Sequence, residues 1–459
     1  MLPLVAYANR LPVQKARGEW QISSGGLVTA LRPTLSGRDG VWVGWNGGAS
    51  DMPRRLPELD VELDPVDLTR REVADYYHGF ANRTLWPLLH GLVQQPVFDR
   101  SWWRAYRAVN ERFAAAGGNR PALRWVHDYQ LMLVPALLRA RGAQGPIGFF
   151  LHIPWTAPEI FARLPWRREI LDGLLGADVV SFHTEEYRDD FVRTCVALAD
   201  AEALGDGRLR TVDGRVVQTA AHPISIDAAD YDERARSGST SRRAARLRDQ
   251  FAGRRLLLGV DRLDYTKGIL ERLQSYELLL ELRPELRAST ALLQVAVPSR
   301  GEIPEYRELR ANVEQSVGRI NGRFTEPGGD VPVHYLHRGV PPDRLLAYYR
   351  TADVCLVTPL RDGMNLVAKE FVVAQAAAGG AGALVLSEFT GAAGELAGEA
   401  LLCNPFDLEG LAATIELALS LDEDDRRARI ERMARHVHEN DVFAWAGREL
   451  DLLATVSQT

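Results

Sequence analysis

Short apolar runs alternate with longer amphipathic segments along most of this chain. Runs such as IGFFLHI (147–153) and ALLQVAV (291–297) are rich in β-branched or aromatic side chains, which is typical of buried strands. Segments such as LERLQSYELLLELRP (270–284) and LEGLAATIELALSL (408–421) repeat their apolar residues at helical spacing. Because continuous apolar strands alternate with helices, the pattern predicts βαβ units and parallel sheets, an α/β fold.

The candidate strands fall into two series along the chain. The first series comprises residues 3–8, 40–45, 124–128, 147–153, 178–183 and 218–224, and the second comprises 254–260, 291–297, 333–337, 353–359 and 383–389. Residues 222–249 between them are polar and rich in Ser and Arg. We therefore place a domain boundary near residue 226 and predict two doubly wound, Rossmann-like domains facing across a cleft at the carboxyl ends of their strands. One large sheet with insertions is the alternative, which a chain of this length disfavours.

Composition narrows the class of protein. The chain has 459 residues, 46% hydrophobic and 25% charged, as in ordinary globular proteins. Its net charge of −6 disfavours a nucleic-acid or anionic-membrane partner, so any anion site must be built locally. Three dispersed cysteines, Cys195, Cys355 and Cys403, predict neither a zinc site nor a disulfide framework. Neither a signal-peptide pattern nor a long apolar run is visible, so we expect a cytoplasmic protein.

Lysine is rare in this chain, with only Lys15, Lys267 and Lys369 among 55 basic residues. Lys267 lies in VDRLDYTKG (260–268), which follows a strand and precedes a helix. Arg262 and Lys267 should therefore lie at the carboxyl end of that strand, where two converging cations suit a diphosphate. The alternative is a surface pair with nearby aspartates, Asp261 and Asp264.

The segment TPLRDGMNLVAKEFVVAQ (358–375) reads as a strand end, a turn and a helix start. Gly363 in the turn lets the backbone approach a ligand, and the free N–H groups of the first helical turn can receive phosphate oxygens. Glu370 lies seven positions after Gly363 in the predicted helix and can accept hydrogen bonds from a ribose diol. In the alternative interpretation, Asp362 caps the helix and Glu370 is a solvated helical residue.

Further polar and aromatic residues also follow candidate strands. Arg10 ends the first candidate strand, Arg300 follows the strand at 291–297, Gly25-Gly26 open a predicted helix, and His152 lies at the end of the apolar strand FFLHIPW (149–155). Aromatic rings beside carboxylates are typical of carbohydrate sites, since sugar C–H faces pack on rings and hydroxyls need acceptors. The residues of this kind are Trp45, Tyr77, Trp86 and Asp128. Taken singly, each of these is more often a core aromatic, a helix cap, a loop glycine or a buried histidine.

Taken together, the motifs resemble one family closely. NRLP, GGL, YYHGFANRTLWP, HDYQL, FFLHIP, RLDYTKG, PSRGE, GRINGRF and PLRDGMNLVAKE follow one another as in trehalose-6-phosphate synthases, over residues 3 to 455. That resemblance implies the two-domain GT-B glycosyltransferase fold. It also implies transfer of glucose from UDP-glucose or GDP-glucose to glucose 6-phosphate, retaining the α configuration and giving α,α-trehalose 6-phosphate.

The resemblance also assigns residues to roles. It implies an acceptor domain over 1–226, a donor domain over 227–440, and a C-terminal helix within 441–459 that packs back on the first domain. The implied catalytic residues are Arg262, Lys267, Asp362 and His152. The donor would meet Gly25, Gly26, Arg262, Lys267, Val340, Asp362, Gly363, Met364, Asn365, Leu366 and Glu370. The acceptor would meet Arg10, Trp45, Tyr77, Trp86, Asp128 and Arg300.

Chemistry on these residues needs no metal cofactor, since cations and a helix N-terminus can stabilise a departing diphosphate. No carboxylate stands out as a nucleophile, so we expect substitution on one face, with the leaving phosphate accepting the acceptor's proton.

This chain departs from the pattern of the family near the expected position of the nucleotide base. Gly339-Val340 stand where uridine-using relatives commonly have a bulkier His-Phe pair, which leaves room for a purine.

Two other functions remain open from the residues. A pseudo-glycosyltransferase acting on cyclitols would lose sugar-site residues that are present here, such as Arg10 and Arg300. An inactive sugar-phosphate sensor would not need Arg262, Lys267 and Glu370. The amphipathic segment LPWRREILDGLLGADVV also leaves a homo-oligomer open.

Overall fold

The computed structural model describes residues 2–16, 19–22, 28, 31–32, 35, 38–48, 52–56, 59–251 and 253–456. Gly25 and Gly26, which the sequence assigns to the donor site, lie outside these residues. The chain forms two compact units, Met1–Ile224 with Val442–Thr459, and Ser225–Asp441. Among the described helices, none is long and apolar enough to cross a membrane.

The first unit is built on a mainly parallel sheet. Its strands are β1 (Leu4–Arg10), β2 (Val13–Ala16), β3 (Glu19–Ile22), β4 (Val41–Trp45), β5 (Glu62–Val66), β6 (Leu123–His127), β7 (Ile147–Phe150), β8 (Val179–Phe182), β9 (Glu202–Gly205), β10 (Arg208–Arg210) and β11 (Val216–Ala221). The spatial order is β5-β4-β1-β6-β7-β8-β11-β10-β9, and β2 and β3 pair separately. The strands are parallel from β5 to β11, and β10 and β9 then continue antiparallel.

Helices of the first unit cover this sheet. They are Arg70–Glu72, a π-helix Val73–Leu85, Trp86–Leu89, Arg100–Ala115, Val134–Ala140, Pro158–Phe161, Arg167–Leu174, Glu185–Leu198 and Val442–Thr455, with a short 3₁₀ turn at Tyr129–Leu131. The last helix is anchored by Trp445, whose ring centroid lies 5.2 Å from Trp125 and 5.1 Å from Phe150. Buried Glu449 of the same helix bonds His222 at 2.5 Å.

The second unit is a fully parallel sheet with helices around it. Its strands are β12 (Arg255–Arg262), β13 (Thr290–Val297), β14 (Val333–Leu336), β15 (Val354–Val357), β16 (Ala383–Ser387) and β17 (Leu401–Cys403), in the order β14-β13-β12-β15-β16-β17. Its helices are Ala228–Arg236, Gly238–Gln250, Ile269–Leu282, Leu286–Ser289, Pro304–Phe324, Pro342–Thr351, Leu366–Ala377, Ala393–Leu396, Leu408–Ser420 and Glu423–Glu439, with a 3₁₀ turn at Tyr265–Lys267. Buried aliphatic side chains of the strands and of helices such as Ile269–Leu282 and Leu408–Ser420 form its core.

The apolar pattern found the central parallel strands and the edge strand β14, but it missed other peripheral strands. Each run in the two predicted series overlaps a strand, whereas β2, β3, β5, β9, β10 and β17 were not predicted. β5 has the sequence ELDPV, in which charge and a proline break the apolar run, and such residues are tolerated at the margin of a sheet. The polar segment 222–249, which gave no strand, contains the helices Ala228–Arg236 and Gly238–Gln250.

Both sheets share one topological feature. Numbered by chain position without the β2–β3 pair, the first six parallel strands of unit one and all six of unit two have the order 3-2-1-4-5-6. Crossovers leave the first strand in opposite directions in this order, which opens a crevice at the carboxyl ends beside that strand. These crevices lie between β1 and β6 in the first unit and between β12 and β15 in the second, and a ligand is expected in each.

Candidate active site

The crevice of the second unit holds a buried ion pair. Lys267 follows β12, Asp362 follows β15, and Lys267 Nζ lies 2.5 Å from Asp362 Oδ2. Asn365 Nδ2 donates to the same oxygen at 3.0 Å. Lys267 is 8% exposed, so the interpretation of Lys267 as a surface residue is wrong. An ammonium has three donors, so Lys267 can hold Asp362 and still bind phosphate oxygens.

The loops carrying these two residues are fastened to each other by backbone contacts. Leu360 N donates to Thr266 O at 2.8 Å, which joins the loop after β15 to the loop after β12. Gly268 has φ +62, and a Cβ there would lie 2.1 Å from Thr358 O. Gly268 therefore allows both a left-handed turn and close loop contact, which fixes the distance between Lys267 and Asp362.

Below the ion pair lies a buried polar network that the sequence did not predict. Arg272 is fully buried; its Nη1 donates to Asp261 Oδ2 at 2.5 Å and to Gln294 Oε1 at 2.9 Å. Its Nε donates to Thr358 Oγ1 at 3.0 Å, and its Nη2 reaches Lys267 O at 3.4 Å. One guanidinium thus contacts two sheet strands and both site loops. The signal for this network in the sequence was weak, since Arg272 interrupts the apolar face of an amphipathic helix.

A second buried carboxylate organises the arginine predicted to bind the acceptor phosphate. Asp264 Oδ2 accepts from Arg300 Nη1 at 3.1 Å and from the Tyr306 hydroxyl at 2.9 Å. Burial by itself raises the pKa of Asp264, but the cations of Arg300, Arg262 and Lys267 outweigh it and hold that pKa at about 2. Asp264 is therefore ionised at neutral pH and holds Arg300, whose side chain is 4% exposed.

We expect the stability of the protein to depend on Asp264 in acid. Its folded pKa of about 2 is below the value of 3.8 for an ordinary aspartate, so its stabilising contribution is complete above about pH 4 and is lost as pH falls towards 2. The shift corresponds to roughly 2 to 3 kcal/mol. In urea unfolding, Asp264→Asn should therefore be less stable than the parent at pH 7, and the gap should narrow between pH 4 and 2. A gap independent of pH would contradict this assignment.

The helix Leu366–Ala377 begins at the same crevice. Asn365 caps it in a left-handed conformation with φ 72 and ψ 86, so Asp362 is not its N-cap. The backbone N–H groups of its first turn, from Leu366 onward, have no partner within the helix. Further along, Glu370 accepts from the Tyr349 hydroxyl at 2.6 Å, and burial raises the pKa of Glu370. Glu370 is therefore a positioned acceptor rather than a solvated residue.

Unlike Lys267, Lys369 pairs with a carboxylate that is not a predicted site residue. Lys369 is fully buried, and its Nζ lies 2.5 Å from Glu395 Oε2. His436 Nε2 lies 3.2 Å from the other carboxylate oxygen. Lys369 therefore joins helices inside the second unit.

In the first unit, the crevice beside β1 brings together an arginine and two aromatic rings. Arg10 ends β1 and Trp45 ends β4, and the Arg10 guanidinium carbon lies 4.7 Å from the Trp45 ring centroid. It lies 5.5 Å from the ring of Tyr77, which belongs to the π-helix. Arg10 is exposed, so its charge can meet an anion while the rings orient it.

On the other side of this crevice, Asp128 has a strained backbone. It directly follows β6 with φ 76 and ψ 166, a region that side chains other than glycine rarely occupy. Its Oδ1 accepts from His152 N at 3.3 Å. Asp128, Arg300 and Asn365 are three of the seven described non-glycine residues with positive φ. Three predicted site residues therefore have backbone conformations that are rare for non-glycine residues, as is found at functional sites.

Not every predicted site residue joins these groups. Trp86 is 4% exposed, and its ring centroid lies 4.1 Å from that of His90, so it packs inside the first unit. Val340 lies in an irregular loop before the helix Pro342–Thr351. Gly363 and Met364 are buried in the turn after β15, where Ala392 N donates to Met364 O at 2.9 Å. Within the described ranges, no group of three or more metal-ligand side chains was found.

Nearly the whole chain is similar to a known family and to characterised relatives. The model of a family described as "Glycosyltransferase family 20" matches residues 3–455. The trehalose-6-phosphate synthase of Mycolicibacterium paratuberculosis (strain ATCC BAA-968 / K-10) is 48% identical, over 98% of this chain and 95% of that protein.

Two solved structures are similar over nearly the whole chain. An α,α-trehalose-phosphate synthase (UDP-forming) from Burkholderia xenovorans, in complex with glucose 6-phosphate, has a TM-score of 0.89 and 36% identity, covering 98% of this chain and 100% of that one. A trehalose-6-phosphate protein from E. coli bound with UDP-2-fluoro glucose has a TM-score of 0.90 and 33% identity, covering 99% of each chain. The two Rossmann-like units therefore make up a GT-B fold.

Proposed function

Because this chain belongs to glycosyltransferase family 20, we propose that it makes α,α-trehalose 6-phosphate from a nucleotide-diphosphate glucose and glucose 6-phosphate. The observation that carries the proposal is the Lys267–Asp362 pair, at the crevice beside the N-terminus of helix Leu366–Ala377. A cation and the N–H groups of a first helical turn at one place suit a diphosphate. Relatives named for this activity match almost the full chain.

The donor is assigned to the second unit. Arg262 and Lys267 would meet the diphosphate, helped by N–H groups of Met364, Asn365 and Leu366. Glu370, already positioned by the Tyr349 hydroxyl at 2.6 Å, would accept from the ribose. Asp362 would bind hydroxyls of the transferred glucose. The E. coli relative bound with UDP-2-fluoro glucose supports a donor of this class.

The acceptor is assigned mainly to the first unit. Arg10 would bind the phosphate of glucose 6-phosphate, Trp45 and Tyr77 would pack against the sugar, and Asp128 would accept from its hydroxyls. The strained backbone of Asp128 supports this, because strain persists where a carboxylate must be held in one direction. Arg300, oriented by Asp264, would be the second phosphate ligand. The Burkholderia xenovorans relative in complex with glucose 6-phosphate supports the same acceptor.

The reaction follows from these charges. Cleavage of the anomeric C–O bond places negative charge on the diphosphate and positive charge on the sugar. Lys267, Arg262 and the helix N-terminus stabilise the leaving group, and one such donor is worth about 3 to 4 kcal/mol. We propose that the acceptor hydroxyl attacks from the same face, bonds to the anomeric carbon, and gives its proton to the departing phosphate oxygen.

The identity of the nucleotide base is the least determined feature of the donor. Gly339 is exposed, and a Cβ on it would meet no atom within 4 Å. We propose that this space admits GDP-glucose beside UDP-glucose.

A cytoplasmic location fits the three buried cysteines, which form no disulfide.

Turnover with a panel of donors tests the activity and the base preference together. We expect nucleotide release from UDP-glucose and GDP-glucose only when glucose 6-phosphate is present, with no hexose covalently attached to Asp362 or Asp128 in the quenched protein. The double variant Gly339→His, Val340→Phe should lower kcat/KM for GDP-glucose more than for UDP-glucose. Absence of turnover with every donor would refute the proposed synthase activity. Binding of glucose 6-phosphate without turnover would favour a sensor. Turnover only with cyclitols would favour a pseudo-glycosyltransferase.

A further inference from the structure

Three histidines follow neighbouring strands of the first sheet. His127 ends β6, His152 follows β7 and His183 follows β8. The ring centroids of His127 and His152 are 5.3 Å apart, and those of His152 and His183 are 5.5 Å apart. Phe150 and Trp445 complete the surroundings of His152, with centroids at 4.7 and 6.0 Å. The ring of His152 is therefore fixed on several sides.

A single hydrogen bond joins two of these rings. His127 Nδ1 lies 3.1 Å from His152 Nε2, so one of the two nitrogens carries the shared proton. Burial lowers the pKa of both imidazoles well below the usual value, and each has a neighbouring imidazole that lowers it further. Both rings are thus neutral near pH 7, and each has one N–H.

The surroundings of His127 decide which nitrogen donates. Its ring is completely buried, and within the described part of the chain its Nε2 has no hydrogen-bond partner. If His152 Nε2–H donated, the proton of His127 would sit on that buried nitrogen as an unsatisfied N–H. If His127 Nδ1–H donates, only a lone pair is left there. Buried orphan N–H groups are rarer than orphan acceptors, so the second arrangement is favoured.

We propose that His127 is a positioning residue that fixes His152 in the Nδ1–H tautomer, so that His152 donates a hydrogen bond to an oxygen of the transferred sugar. The ligand part rests on the function proposed above. His152 follows β7 at the carboxyl edge of the sheet and is only partly buried, unlike His127. His127 needs no contact with substrate in this arrangement.

Histidine ring nitrogens can be examined directly in the ligand-free protein. In long-range ¹H–¹⁵N spectra of protein labelled with ¹⁵N-histidine at pH 7, we expect His152 to show a protonated Nδ1 and an unprotonated Nε2. The signals of His152 are those that disappear in His152→Gln. A protonated Nε2, or fast exchange between tautomers, would overturn the proposal whether or not the enzyme is active.

Two variants of His127 separate tautomer control from packing. His127→Asn keeps an N–H donor near the position of Nδ1, whereas His127→Leu removes it and fills similar space. We expect His127→Leu to leave the tautomer of His152 unfixed and to lower kcat/KM by roughly 2- to 10-fold, the value of one hydrogen bond. His127→Asn should keep both the tautomer of His152 and the kcat/KM of the parent. Equal losses in the two variants, with the tautomer of His152 unchanged, would mean that His127 only packs. If the parent protein were inactive but gave the expected spectrum, the proposed synthase activity would be refuted and the proposed tautomer of His152 would stand.

Discussion

Replacing Lys267 by alanine is expected to lower kcat by about 100- to 1,000-fold, the usual effect of removing one transition-state donor. The ammonium is placed to meet charge that develops on the leaving diphosphate, so chemistry should suffer more than ground-state binding. Asp362 keeps its hydrogen bond from Asn365 at 3.0 Å, and the vacated space admits water, which limits the cost to folding. Steady-state kinetics with glucose 6-phosphate and saturating donor, beside a urea unfolding curve, would measure both effects.

Two matched variants sharpen this test. Lys369 is also a buried lysine in an ion pair, with Glu395 at 2.5 Å, but it lies outside the proposed ligand contacts. Lys369→Met should therefore cost about 3 to 5 kcal/mol of unfolding free energy, with kcat largely retained. Lys267→Arg keeps the charge but replaces a compact ammonium by a planar fork, and should recover only part of kcat. If Lys267→Ala lost stability with unchanged kcat/KM, Lys267 would be structural as well.

Replacing Arg272 by methionine is expected to cost about 3 to 5 kcal/mol of unfolding free energy. Asp261 would lose the buried cation that lies 2.5 Å from it and would keep the hydrogen bond from Gln294 at 3.3 Å. Thr358 and the Lys267 carbonyl would lose donors at the same time. The midpoint of urea unfolding, with its slope checked for two-state behaviour, measures the loss.

A double variant and an exposed pair serve as controls for Arg272. Arg272→Met with Asp261→Asn removes both charges, so it should recover part of the stability lost by Arg272→Met alone. Arg310 bonds Glu314 at 2.7 Å on an exposed helix face, and Arg310→Met should cost less than about 1 kcal/mol. Equal losses from Arg272→Met and Arg310→Met would show that the buried network contributes no more than a surface pair.

The fold could be predicted because burial leaves a local trace in the sequence. A strand covered on both faces is mostly apolar, so runs such as residues 291–297 mark interior strands. An edge strand is under no such demand, which is why β5 and β17 were missed. The site loops were found because polar residues follow these strands at their carboxyl ends, where parallel sheets bind ligands.

By itself, the sequence determined that two parallel α/β domains carry cations and aromatic residues at strand ends, and that these resemble one family of glycosyltransferases. Only the tertiary structure decided which groups meet: Lys267 with Asp362, Asp264 with Arg300, and His127 with His152. In the alternative interpretation of Lys267 as a surface residue, its partners were the nearby Asp261 and Asp264, whereas the structure pairs its ammonium with Asp362, which is far away in the sequence. The physical reason is that ion pairs depend on distance in space, and adjacent parallel strands bring together loops that are far apart along the chain.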